Sequence, residues 1–217
     1  MSTSTKTRAP YHHGDLRRAL IDGARELVHF SGVDDISLRQ VARQAGVSHA
    51  AAYHHFTDKN GLLRAIAVIA FDELTDKLTE ALPAAQAAQL DRANAATPAS
   101  VDFVEKIALV YFGFAFEHPA EFRFMFRRDL CLPPGEPDPL EVASRRSQAV
   151  VTAGLSREIE SGRLRAQDAE IATLAFWSLV HGFTTIVLET PAFKSIERAD
   201  AEALLLVVVR QFVEGAR

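Results

Sequence analysis

The groups best equipped for chemistry near the amino terminus lie in GVSHAAAYHHFTDK, residues 46–59. The imidazoles of His49, His54 and His55, the phenol of Tyr53 and the ammonium of Lys59 flank the run Ala50, Ala51, Ala52. Such groups donate hydrogen bonds to phosphates and base edges, or they ligate metal. Metal is the weaker reading, because neighbouring residues on a helix point about 100° apart and His54 and His55 do not converge. His12-His13 also lacks further ligands at metal spacing. A second chemical set lies downstream, where Tyr111, Trp177, His181 and Thr184 sit among Phe112, Phe114, Phe116, Phe122, Phe124 and Phe126. A few polar groups in an aromatic wall suit a small hydrophobic or aromatic ligand. A plain core with a satisfied histidine is the alternative, and Met125 serves equally as gap-filler or ligand contact. The chain contains no phosphate-binding glycine loop, no nucleophile elbow and no ligands clustered at metal spacing. No cofactor is expected and an enzyme is disfavoured.

Elements must hold these groups in place, and their periodicity is helical throughout. Leu16, Leu20, Ala24 and Leu27 mark a first helix from about Gly14 to Phe30. Ser37-Leu-Arg-Gln40 is a capping box, backed by an apolar stripe of Leu38, Val41, Ala42 and Ala45. Gly46 ends this second helix, Ser48 caps a third that ends near Phe56, and Asp58 caps a fourth that reaches about Leu82. Residues 84–99 are poor in large apolar side chains and read as a linker. Five more helices follow, at about Thr97 to His118, Pro119 to Leu130, Leu140 to Ser161, Gln167 to Glu189 and Ile196 to Val213. The expectation is an all-α protein of about nine helices. It divides into an arm (1–10), a helix-turn-helix DNA-binding domain (11–57) and a ligand-binding and dimerisation domain (58–217).

With 217 residues, 48% of them apolar and 24% charged, the chain is an ordinary globular one. Its single cysteine, Cys131, excludes an internal disulfide and fits the cytoplasm. MSTSTKTRAP is too polar for a signal peptide. The net charge of −4 argues against nucleic acid, but its distribution does not. Residues 1–64 carry 9 Lys/Arg against 6 Asp/Glu and six of the eight histidines, and the remainder carries 15 against 22. A basic head on an acidic body suits a localised phosphate-binding surface. Residues 171–188, IATLAFWSLVHGFTTIVL, hold no Asp, Glu, Lys or Arg over a length that could span a membrane. Interspersed Thr, Ser and His, and flanking glutamates, favour a helix buried all round in a protein core or interface. Leu204 to Val209 repeats the theme. Two neighbouring helices with surplus apolar surface predict a homodimer closed as a four-helix bundle through the last two helices.

Two short helices joined at Ala45-Gly46-Val47 form a helix-turn-helix. Ala52 and Phe56 face inward, which sends Ala50 and His54 outward with Ala51 and Tyr53 on the flanks. A shallow, small-residue face with polar corners suits the DNA major groove. From Tyr11 to Ile66 the chain resembles the N-terminal domain of the tetracycline-repressor (TetR) family of bacterial transcriptional regulators, most specifically in SLRQVARQAGVS followed by AYHHFTDKNGLL. EHPAEFRFMF and FWSLVHGF resemble the ligand-binding domain of the TetR subgroup marked by a Trp and a His-Gly pair, here Trp177, His181 and Gly182. Ala52 departs from the family, which more often has a larger aliphatic residue there.

The resemblance implies roles residue by residue. Arg39 reaches a guanine edge or phosphate, and His49, Ala50 and Ala51 face bases. Tyr53, His54 and His55 touch phosphate or bases, and Lys59 sits on a phosphate. Ser37 adds a backbone contact or serves only as a cap, and Lys6, Arg8, His12 and His13 of the arm add phosphate contacts. The aromatic and polar residues of the body, read by themselves, give the expected ligand set of Tyr111, Phe112, Phe116, Met125, Phe126, Trp177, His181 and Thr184. Recognition helices of a dimer must sit roughly 34–36 Å apart to reach successive major grooves of a palindromic operator. An effector that prefers another spacing then releases the DNA by linkage. The rival reading is a small-molecule-binding or catalytic helical protein that ignores DNA.

Overall fold

A computed structural model describes residues 13–31, 36–91, 99–133, 135, 137–166 and 168–215. The chain divides into two compact units, 1–66 and 67–217. Among the described residues there are nine α-helices and no strand.

The first unit contains α1 (His13–Ser31), α2 (Leu38–Gln44) and α3 (His49–His55). Leu20, Ile21, Ala24 and Val28 form the buried stripe of α1 at helical spacing, and they meet Leu38, Val41 and Ala42 of α2 and Ala52 of α3. The caps are those the side chains dictate. Ser37 Oγ accepts from the Gln40 amide at 3.3 Å and donates to Gln40 Oε1 at 2.7 Å. Ser48 Oγ accepts from the Ala51 amide at 3.1 Å. Between the helices Gly46 has φ +68°, a left-handed conformation that only glycine adopts without strain. Two side-chain links add to the core: Gln44 Nε2 donates to Glu26 Oε2 at 3.0 Å, and the Arg17 guanidinium lies 5.3 Å from the centre of the Phe56 ring.

α4 (Lys59–Asp91) begins in the first unit and ends in the second. It corrects the expected stop near Leu82, since the helix continues through Pro83 to Asp91. Alanine, glutamine and leucine are strong helix formers, so scarce large apolar residues argue against burial and not against helix. Thr97-Pro98, the expected cap of the next helix, lies outside the described residues, as do Lys6, Arg8, His12 and the His13 side chain.

The second unit continues with α5 (Ala99–Glu117), α6 (Pro119–Met125), α7 (Pro139–Glu160), α8 (Ala169–Glu189) and α9 (Arg198–Gly215). The expected sixth helix is shorter than its sequence suggested. It stops at Met125, and a 3₁₀ turn at Arg128–Leu130 carries Leu130 into the core. Asp138 caps α7 by accepting from the Leu140 amide at 2.9 Å, and Asp168 caps α8 by accepting from the Glu170 and Ile171 amides. α5 packs against α9, α8 and α6, while α8 also packs against α7 and α9. α8 is long and apolar enough to cross a membrane, but it lies among these helices with Ala172, Phe176, Val180 and Val187 buried. In α9, Ala201, Leu205, Val209 and Val213 recur every four residues and are buried. Glu158 is a buried carboxylate near the end of α7, and both of its oxygens accept from Arg163 at 2.9 Å.

Candidate nucleic-acid interface and ligand cavity

In α3 one residue in four turns inward. Ala52 is fully buried, and Phe56 just beyond the helix is buried with it. Three or four residues define a face, so the same rotation leaves His49, Ala50, Tyr53 and His54 exposed, with Ala51 and His55 at the margins. Tyr53 is 51% exposed, a large aromatic residue left in solvent. It meets His49 edge-on, with ring centres 4.8 Å apart. Across the turn, Arg39, Gln40 and Arg43 of α2 share a shallow surface cleft with Val47 and His49. Arg39 is exposed, and Lys59 stands half-buried at the start of α4. Ser37 is exposed, but its hydroxyl is already engaged with Gln40 as acceptor and donor. The result is a solvent-facing patch of imidazole, phenol and guanidinium around two small alanines. Among the described residues no three His, Cys, Asp or Glu side chains are placed to hold a metal ion.

The second unit encloses a small cavity of about 40 Å³ between α4, α5, α7 and α8. α4 contributes Phe71, Leu74 and Leu78, and α5 contributes Ile107 and Tyr111. α7 supplies Ser144, Ser147, Gln148 and Val151, α8 supplies Thr173, Phe176, Trp177 and Val180, and Phe126 completes the wall. Beside it, His181 is boxed by rings, with centres at 4.4 Å to Phe126, 5.5 Å to Phe122 and 5.5 Å to Trp177. The Tyr111 hydroxyl lies 2.9 Å from His181 Nδ1. Burial pushes the Tyr111 phenol well above its usual range, against a hydrogen bond with the Trp177 side chain that acts the other way. With the indole N–H donating, the phenolic proton is left for Nδ1, which requires a neutral imidazole. Burial depresses the His181 pKa and so favours that neutral form.

Of the expected ligand set, the structure brings Tyr111, Phe126 and Trp177 to the cavity and sets His181 directly behind them. It does not bring the other four. Phe112 is fully buried against Phe116 and Phe183, which also accounts for half-buried Phe116. Met125 fills core space away from the cavity. Thr184 is buried outside the cavity lining, and its hydroxyl donates to the Val180 carbonyl at 2.7 Å.

Residues 20–66 match the family described as bacterial regulatory proteins, tetR family, and residues 104–212 match the tetracyclin repressor-like C-terminal domain. The chain belongs to the TetR family. An uncharacterized HTH-type transcriptional regulator of Mycobacterium tuberculosis, Rv0681, is 27% identical over 92% of this chain and 80% of its own length. The HTH-type transcriptional regulator BetI of Escherichia coli is 41% identical over 66 residues, which are 30% of this chain and 32% of that one. A protein of unknown function from Rhodococcus sp. RHA1 has a similar structure, with a TM-score of 0.73 and 29% identity, over 97% of this chain and all of that one. This TetR-family chain is therefore a DNA-binding transcriptional regulator and not an enzyme.

The TetR-type body holds contributors that sequence reasoning missed. Ser144, Ser147 and Gln148 recur at three- and four-residue spacing on a helix face that must meet the core. Polar residues on such a face were the available signal. Phe71, Leu74 and Leu78 carried no signal beyond ordinary core periodicity.

Proposed function

We propose that the protein is a homodimeric cytoplasmic repressor that binds a palindromic operator through α3 and leaves it when a small effector enters the cavity of the second unit. The outward face of α3 carries the reading: Tyr53 and His54 lie in solvent while Ala52, between them and the core, is fully buried. A helix whose small residues let it sit deep in a major groove gains base and phosphate contacts from its corners. Arg39, His49, Ala50 and Ala51 address base edges, while Tyr53, His54, His55 and Lys59 address phosphates or bases. Ser37 acts chiefly as the cap of α2. The second copy packs on the apolar stripe of α8 and α9, which spaces the two α3 helices for successive grooves. Because α4 runs from one unit into the other, a ligand that favours a different arrangement of the body lowers DNA affinity, and DNA lowers ligand affinity equally.

The test is fluorescence anisotropy on DNA fragments flanking the gene that encodes the protein, with salt titration. One fragment binds tightly, and its affinity falls steeply with salt. Arg39→Ala and Tyr53→Ala each weaken it, Arg39→Ala by about 1–3 kcal/mol per half-site if the contact is bidentate to a base. Unchanged affinity in both variants, with the fold intact by circular dichroism, refutes the assignment of this face.

A further inference from the structure

The effector reading above leaves the chemistry of the effector open, and the cavity wall constrains it. We propose that the cavity takes an uncharged aromatic molecule bearing one hydroxyl or carbonyl group, bonded to the Gln148 carboxamide and admitted by displacement of Trp177. The proposal rests on the assignment of this cavity as the effector site.

Charge comes first. No side chain lining the cavity is formally charged. Burial lowers the pKa of His181, behind the wall, and so favours its neutral form. A ligand ionised at the end it buries in the cavity would find no counter-ion there, which is strongly unfavourable, and Glu170 on the adjoining groove repels an anion further. The rings of Phe71, Tyr111, Phe126, Phe176 and Trp177 instead offer faces and edges for an aromatic guest.

Hydrogen-bond accounting selects the anchor. The Ser147 hydroxyl is shared with Thr75 and the Phe71 carbonyl. Thr173 Oγ1 donates to the Ala169 carbonyl and is bonded to Thr152. The Tyr111 hydroxyl is held by His181 and Trp177. Among the described residues, the Gln148 carboxamide and the Ser144 hydroxyl are the polar lining groups without such a partner. Gln148 also borders a second space, a surface groove of about 330 Å³ between α7 and α8, and shares that position with Thr173 and Trp177.

Space selects the route. The cavity of about 40 Å³ is too small for an aromatic guest, since a dry cavity that binds benzene is on the order of 150 Å³. Room for a guest therefore requires joining the cavity to the groove. Trp177 is half-buried and is the only bulky side chain in the partition. Ile171 and Leu174 form the outer lip of the groove.

Trp177 is the single tryptophan of the chain, so its fluorescence reports on this wall alone. The full-length protein is titrated with three molecules on one phenyl-ethyl frame: 2-phenylethanol, ethylbenzene and phenylacetate. 2-Phenylethanol is expected to shift the emission and to bind at least about tenfold more tightly than either of the others, the increment of one well-made hydrogen bond. Gln148→Leu is expected to abolish the preference over ethylbenzene, while ethylbenzene binding stays within about twofold and serves as the control for folding. Phenylacetate binding as tightly as the alcohol, a preference that survives Gln148→Leu, or no binding by any of the three at millimolar concentration each overturns the proposal. If the neutral probes fail while an anionic compound releases operator DNA, this inference falls and the repressor reading stands. If the neutral probes bind as expected and operator affinity is unchanged, the ligand assignment stands and the release mechanism falls.

Discussion

Ile186→Glu tests the dimer, and its size follows from the exposed apolar stripe. Ile186 on α8 and Leu204 and Val207 on α9, clear of the groove that Ile171 and Leu174 line, are between 46% and 53% exposed. Complete burial of such a side chain contributes about 1.5–3 kcal/mol, so covering the exposed half gives roughly 1 kcal/mol each. A two-fold pair then gains roughly 6 kcal/mol from these side chains, within the roughly 4–15 kcal/mol that association costs. The dimer thus depends on most of the stripe. Replacing Ile186 removes about 1 kcal/mol per protomer and sets a carboxylate on each side, whose desolvation costs several kcal/mol more. A loss of at least about 4 kcal/mol raises the dimer Kd roughly a thousandfold. Sedimentation velocity from nanomolar to tens of micromolar protein reads this directly. The wild type is expected to remain dimeric at micromolar concentration and the variant to sediment as a folded monomer, because an exposed substitution barely disturbs the monomer. Ile186 borders neither the cavity nor the groove, so ligand binding is a second control. A variant that sediments as a dimer with unchanged Kd refutes the assignment of this face.

Two stability predictions follow from buried groups. Gly154 lies on α7 where a Cβ would overlap the Phe103 ring edge and come within 3.2 Å of Leu82 Cδ2; Phe103 is buried and cannot yield, so Gly154→Ala should destabilise by about 1–3 kcal/mol in urea unfolding. A change within about 0.5 kcal/mol would mean the ring relaxes. His181, whose folded pKa is lowered by burial, leaves the unfolded chain binding its proton first, so stability should fall as pH drops below about 6.5, with a slope under about 1.4 kcal/mol per pH unit because the ring is only half-buried. Tyr111, whose folded pKa is raised, should add a loss of stability above about pH 10. His181→Gln should remove the acid-side contribution and Tyr111→Phe the alkaline one, as read by the pH dependence of the urea midpoint, and profiles unchanged by either substitution would show that the pair does not titrate in this way.

The first unit was legible almost in full because its signals are local. Ser37, Ser48 and Asp58 announce helix starts through their own side-chain chemistry, and each accepts an amide three residues on. Gly46 announces the turn through a conformation other residues avoid. The burial of Ala52 then fixes which residues of α3 face solvent, by rotation alone. The cavity was legible only by half, for a reason that lies in what periodicity measures. A helical stripe finds the face that turns inward, but core and cavity wall occupy the same face. Phe112 and Phe126 carry the same chemistry and sit on neighbouring elements, yet one is sealed between other rings and the other borders free space. Only the way α4, α7 and α8 come together around the cavity decides between them, and that is a long-range fact. Polar residues escape the ambiguity better, because a buried hydroxyl or amide must find a partner. Thr184 finds its partner within its own helix, whereas Gln148, unremarked in the sequence, has a side chain with no protein partner among the described residues and lies on the wall between cavity and groove. A polar side chain left without a protein partner, more than the abundance of phenylalanine, is the feature that sets this wall apart from plain core.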